Sequence, residues 1–73
     1  MSPDRLVTMA NQIGRFFASQ GGTEQAVSGT ADHIRQFWDP RMRAAILAHV
    51  AAGGEGLDPD VRAAVERLKA PAA

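Results

Sequence analysis

The fold is decided at one segment, Ala31–Arg43, which reads ADHIRQFWDPRMR. One apolar helical stripe, with the spacing i, i+4, i+7 and i+11, is formed by Val27, Ala31, Ile34 and Trp38. Phe37 lies off this stripe. The Asp39-Pro40 pair disfavours further helix at Asp39, whereas Pro40 suits the first position of a new helix and Asp39 can cap that helix. The segment therefore predicts the end of one helix, a short stiff joint and the start of the next helix.

Glycine and proline mark the other helix boundaries. Gly21-Gly22 predicts the end of a first helix, because glycine accepts the left-handed backbone conformation that ends helices, and Gly53-Gly54 repeats the signal. Pro59 follows a capping aspartate and predicts another start. The predicted helices cover residues 3–20, 23–38, 40–52 and 59–68. No segment alternates as a strand would, so we predict an all-α fold, a small bundle of four short helices with tight joints.

The predicted core follows the inward stripes of these helices. Residues 10–17 and 31–38 share the pattern Ala-[Asn/Asp]-polar-Ile-x-x-Phe-aromatic, which predicts that the first two helices present equivalent faces to a common core. The third helix is apolar over a wide arc, so it must bury more than one side. The core prediction comprises Leu6, Ile13, Phe17, Val27, Ile34, Trp38, Met42 and Ile46.

The length of the chain limits how stable it can be alone. Its 73 residues suit one helical domain, residues 1–73, and residues 70–73 are expected to form a frayed tail. The core of a domain this small rarely supplies more than about 3–5 kcal/mol. The sequence has no cysteine, so no disulfide can add to that figure. A partner subunit is the remaining source of stability.

The charge distribution argues against nucleic acids and anionic membranes as partners. Eight basic and eight acidic residues cancel, and the basic residues form no block. Seven of the basic residues are arginine, which favours protein partners, although a GC-rich coding bias explains the excess equally well. Met1–Ala10 contains an acid and no long apolar run, so neither a signal peptide nor a membrane anchor is predicted, and the expected location is cytoplasmic.

No set of residues forms a recognisable active site, cofactor site or metal site. His33 and His49 fall on different predicted helices, and neither has two further ligands at helical spacing. We therefore predict no catalytic, cofactor-binding or metal-binding residue. For His49 we expect a half-buried ring that is hydrogen-bonded to a carbonyl or to a carboxylate, and the sequence leaves that choice open.

The candidate partner-binding residues are Phe16, Phe37, Arg41, Arg43 and Leu47. Phe16 and Phe37 each neighbour an aromatic residue that fits the inward stripe better, so they either widen the core or anchor a partner. The arginines near the joint could hold a carboxylate or phosphate of a partner, or could pair locally, as Arg35 would with Asp39. Leu47 is the apolar residue least easily placed inside.

Three segments of the chain form a distinctive set: residues 4–17 with the run MANQIG, residues 31–43 with the run FWDPRMR, and residues 52–57. Together they resemble the delta subunit of cytoplasmic NAD-dependent formate dehydrogenases. The resemblance spans the chain from Asp4 to the final helix, and only the tail after Leu68 differs freely. It implies a small accessory subunit without a cofactor of its own. The implied complex oxidises formate at a molybdenum or tungsten pterin cofactor and passes electrons through iron-sulfur clusters and FMN to NAD.

The resemblance thus implies a non-catalytic subunit that stabilises the catalytic alpha subunit or assists its assembly. The alternative is a stand-alone small helical module that binds a protein or a nucleic acid, or that associates with itself when isolated. Zero net charge and acidic residues at the helix starts argue against the nucleic-acid form of this alternative.

Overall fold

A computed structural model describes residues 3–69 of the chain. It contains three helices, α1 (Pro3–Phe37), α2 (Pro40–Ala51) and α3 (Pro59–Arg67), and no strand within those residues. The all-helical class is confirmed, whereas the predicted number of four helices is wrong. The expected frayed tail, residues 70–73, lies outside the described residues.

The difference lies at Gly21-Gly22, where helical geometry is interrupted as predicted but no loop separates the two helical parts, so that they form the single element α1. Gly21 has φ −165° and ψ 25°, and Gly22 has φ 73° and ψ −157°, so both depart from helical geometry. The positive φ of Gly22 is accessible to glycine at little cost. Because these two residues turn the chain without any further loop residue, the first two predicted helices are the two arms of one element, joined at a kink. We call residues 3–20 the first arm of α1 and residues 23–37 its second arm.

The two arms and α3 enclose most of the core. The main buried cluster contains Leu6, Val7, Ala10, Ile34, Trp38, Ile46, Val50, Val61 and Val65, and a smaller one contains Val27, Ala31 and Ala64. Of the predicted core residues, the structure buries Leu6, Val27, Ile34, Trp38 and Ile46. The other three, Ile13, Phe17 and Met42, are half-buried, and Ile13 and Met42 pack against the main cluster.

Two glycines allow the closest approaches between these elements. A Cβ atom at Gly14 would overlap Cγ2 of Val61, so α3 can reach the first arm only because residue 14 has no side chain. A Cβ atom at Gly29 would lie 2.5 Å from the ring of Phe17, so the second glycine serves the contact between the two arms. Glycine weakens a helix interior, but Gly29 is retained within the second arm as a packing site.

The loop between α2 and α3 is held by Asn11. This buried side chain donates from Nδ2 to the carbonyl of Gly56 over 2.9 Å and accepts from the backbone N–H of Asp58 over 2.9 Å. The carboxylate of Asp58 pairs with the guanidinium of Arg15 at 3.2 Å and makes no capping hydrogen bond. Asp58 occupies the predicted cap position, but Asn11 orders the backbone there.

The joint after α1 consists of Trp38 and Asp39. The carboxylate of Asp39 accepts a hydrogen bond of 2.9 Å from the backbone N–H of Met42, as the capping prediction requires. The guanidinium of Arg43 donates to the carbonyl of Trp38. The local pair offered for Arg35 was wrong in its partner, because Arg35 lies 3.4 Å from the carboxylate of Asp32 and not beside that of Asp39.

We expect Gly14→Ala to lower the free energy of unfolding by about 1–2 kcal/mol, because overpacking a core costs roughly 1–3 kcal/mol and here exceeds the gain in helix propensity. Val61 cannot yield, since it is only 1% exposed and its branched side chain has little rotamer freedom. Urea unfolding followed by circular dichroism measures the change. The double variant Gly14→Ala/Val61→Ala should lose less than the sum of its single variants, and strict additivity would contradict the contact.

The two aspartates that precede prolines provide a second test. Asp39→Ala should cost about 1 kcal/mol, the usual value of a lost N-cap. Asp58→Ala should cost less, because it removes an exposed ion pair of the kind that contributes roughly 0.2–1 kcal/mol and leaves the Asn11 bonds in place. Unfolding midpoints of the two variants make the comparison. An equal or larger loss for Asp58→Ala would contradict the conclusion that a side-chain cap stabilises the start of α2 whereas Asn11 orders the start of α3.

Candidate partner-binding groove

An apolar groove of about 430 Å³ lies along α1 between its two arms. The lining residues are Met9, Gln12, Ile13, Phe16, Phe17, His33 and Trp38. The first arm supplies five of them, the second arm supplies His33, and the joint supplies Trp38. Apolar side chains dominate this lining, and the side chains in it that carry polar atoms are those of Gln12, His33 and Trp38, so the groove suits apolar side chains with few hydrogen-bonding demands.

The groove lies on the side of the first arm that α3 leaves open. Gly14 faces Val61 of α3, whereas Phe16 is two residues further along and therefore about 200° around the helix axis. Gln12 lies two residues before Gly14 and falls on the same outer side as Phe16. The paired arms thus have one face covered by α3 and one uncovered face that carries the groove.

Phe16 and Phe37 are the large apolar side chains that the described chain leaves most exposed, at 59% and 71%. The ring of Phe16 meets the ring of Phe17 edge-on, with 5.3 Å between centroids. The ring of Phe37 lies 4.8 Å from that of His33, which itself lines the groove. Both phenylalanines therefore border the uncovered face, and neither widens the core. Their role in partner binding stays a prediction.

The remaining candidate residues lie on α2. Arg41 is exposed in the first turn, and Arg43 is half-buried with its guanidinium bound to the carbonyl of Trp38. Leu47 is also half-buried and packs against the main core cluster. None of these three lines the groove, although Arg43 is tied to it through Trp38. The five candidates therefore do not form one site. Of the five, Phe16 lines the cavity, and Phe37 lies beside it through its contact with His33.

Sequence reasoning missed Met9 and Gln12 as groove residues and assigned Ile13, Phe17 and Trp38 to the core alone. A signal was present, because one further stripe with the spacing i, i+4, i+7 and i+11 is formed by Arg5, Met9, Gln12 and Phe16. Its mixed polarity kept it from standing out as an apolar face.

The histidines do not form a ligand set. Nε2 of half-buried His49 lies 2.7 Å from the carbonyl oxygen of Glu55, so of the two predicted partners the structure selects a carbonyl. Since a carbonyl can only accept, Nε2 carries the proton. Residues 3–69 contain no group of three histidine, cysteine or acidic side chains placed to hold a metal ion. Within the same range no helix combines the length and apolar character that a membrane crossing needs.

Truncation of the adjacent residues Trp38 and Phe37 should change the free energy of unfolding by different amounts. Trp38→Ala should cost about 3–5 kcal/mol, because Trp38 is only 4% exposed and belongs to the main core cluster. Phe37→Ala should change the free energy of unfolding by less than about 0.5 kcal/mol, as exposed substitutions usually do. Thermal unfolding of the two variants tests this contrast. Comparable losses would mean that the ring of Phe37 is packed in solution.

Fold and groove together define a small all-helical protein with one open apolar face. A family model described as NADH-dependent formate dehydrogenase delta subunit, FdsD, matches residues 5–65, which is most of the chain. The chain therefore belongs to the FdsD family, and the resemblance drawn from its sequence is confirmed. Every residue that lines the groove falls within the matched range. No curated protein and no solved structure matches the chain.

Proposed function

We propose that this chain is the non-catalytic delta subunit of a cytoplasmic NAD-dependent formate dehydrogenase that contains molybdenum or tungsten. Its role is to stabilise the catalytic alpha subunit or to assist its assembly, and it does so by binding through the open face of α1. Membership of the delta-subunit family supports the first part of the proposal. The groove beside two exposed phenylalanines supports the second part.

The exposure of Phe16 and Phe37 is the observation that carries the docking proposal. Large aromatic side chains contribute much of the binding energy of protein interfaces when a partner buries them. Two of the three phenylalanines are largely exposed, although the core of the chain is small. Folding of the chain alone therefore gains no stability from burying these two rings. A partner surface recovers that burial and adds to the stability of the chain.

The cofactors of the implied complex belong to its other subunits under this proposal. A pterin-bound molybdenum or tungsten centre would oxidise formate, and iron-sulfur clusters and FMN would carry the electrons to NAD. The residues of this chain do not fit any of the metal groups, because the sequence has no thiolate ligand and the described part has no cluster of histidine and acidic ligands. The contribution of the chain is therefore made through contact.

The test is to isolate the complex from cells with and without this chain. We expect a lower yield of complex or a lower metal content without it, and unchanged formate turnover per bound metal in whatever intact complex forms. Equal yield, metal content and thermal stability in both preparations would rule out the assembly role. Formate turnover by the purified chain alone would rule out a non-catalytic function.

Phe16→Ala and Phe37→Ala should each weaken binding to the complex roughly 30-fold, which corresponds to an interface residue contributing about 2 kcal/mol. The measurement is a titration of complex lacking this chain with each purified variant. Gln36→Ala is the matched control, because Gln36 is exposed beside Phe37 and does not line the groove. Unchanged affinity of both phenylalanine variants would place the docking surface elsewhere on the molecule.

A further inference from the structure

The chain already binds one amphipathic helix, its own α3, on the covered face of the two arms. Val61, Ala64 and Val65 are fully buried there at the spacing i, i+3 and i+4, and half-buried Leu68 follows at i+7. This is the usual spacing of the anchors of a helix that lies in a groove. The paired arms of α1 are therefore a surface on which a helix can dock.

Arginine side chains hold both ends of α3. At its start, the guanidinium of Arg15 on the first arm pairs with the carboxylate of Asp58 at 3.2 Å. At its end, the guanidinium of Arg35 on the second arm donates to the backbone carbonyl of Arg67 over 3.2 Å, where the helix dipole is negative. Apolar side chains in the middle and an arginine at each end thus define how this surface receives a helix.

Like the covered face, the open face has apolar side chains along its middle. The groove has a volume of about 430 Å³ and is open to solvent, so apolar side chains of a helix lying along it can enter. Three apolar side chains are what a helix presents along one face over two turns. The floor of the groove runs along the first arm from Met9 to Phe16, a span of two turns.

An arginine also stands at one end of the open face. Arg5 continues the stripe of Met9, Gln12 and Phe16 by one turn, and it borders a shallow cavity that shares Met9 with the groove. Asp4 borders the same shallow cavity, but it also lines a separate cavity beside His49. Within residues 3–69 Arg5 forms no ion pair, whereas Arg15 and Arg35 each have a carboxylate partner.

We propose that the groove binds one amphipathic helix of the partner subunit. Three apolar side chains of that helix, spaced one turn apart, enter between the two arms, and an acidic side chain at one end pairs with Arg5. Phe16, at the end of the floor, and Phe37, beside His33, contact that helix. This inference rests on the proposed function, because it specifies what part of a partner subunit the open face receives.

A second copy of the chain fits the same face less well. An isologous dimer would place two copies of one surface against each other, and none of the residues that line the groove is acidic. Groove would then face groove, and neither copy would present a helix to the other, although Asp4 of the opposing copy could reach Arg5. A separate helix that carries its own acidic residue can both fill the groove and pair with Arg5.

Photo-crosslinking in the assembled complex tests the inference. The photoreactive residue benzoylphenylalanine replaces Gln12 in one variant and Arg5 in another, and it replaces exposed Ala63 of α3 in the control. We expect the first two variants to crosslink to the same partner peptide. The two crosslinked sites should lie about seven residues apart, because positions 5 and 12 are two helical turns apart, and the Ala63 variant should not reach that peptide.

The charge at Arg5 is tested by titrating complex that lacks this chain. Arg5→Glu should weaken binding roughly tenfold at low salt, while Arg5→Lys should retain most of the affinity, and the difference should shrink at high salt. Crosslinks from position 12 to another copy of the chain, or to sites without helical spacing, would overturn the helix assignment. If the chain joins the complex without any crosslink from position 12, the groove is not the docking site, and docking through the open face fails while the role as a delta subunit still stands. If the chain does not join the complex, the proposed function itself fails.

Discussion

The contact between Gly14 and Val61 is the constraint on which the rest of the structure depends. It lets α3 lie directly on the backbone of the first arm, and only the absence of a side chain at residue 14 permits this approach. Thr30 is buried beside the same point, and its hydroxyl has no hydrogen-bond partner in the described part of the chain. Such a group costs free energy, so tight packing around it must offset that cost. The position of α3 then decides which face of the arms is covered.

Much of the fold could be predicted because its helix signals are local. The cap at Asp39 and the proline starts at residues 40 and 59 are set by nearest neighbours along the chain, and the structure has α2 and α3 where those signals place them. Gly21-Gly22 showed where the chain turns but not whether a loop follows, because that depends on the dihedral angles the pair adopts. The packing roles of Gly14 and Gly29 were not predictable, since each depends on a residue brought close only by the tertiary fold.

The groove could be predicted only in part, and for a similar reason. The pairing of each outer phenylalanine with a better-placed aromatic residue showed that Phe16 and Phe37 differ from the core stripe, and both are exposed. The cavity itself needs side chains from two arms and the joint, and no single stretch of sequence contains them. Asn11 shows the same limit, because its two hydrogen bonds join it to backbone groups 45 and 47 residues away.

Those bonds of Asn11 also bear on the order in which the chain acquires its structure. Phe17 and Gly29 meet across a short turn, so the entropy lost in closing the two arms is small, whereas α3 must close a much longer loop before Asn11 can hold its start. The paired arms are therefore the first tertiary unit that can form, and at that stage both of their faces are open. When α3 docks, it buries one of these two faces. The same local unit thus serves the chain's own folding on one side and stays uncovered on the other, which is the side proposed to bind a partner subunit.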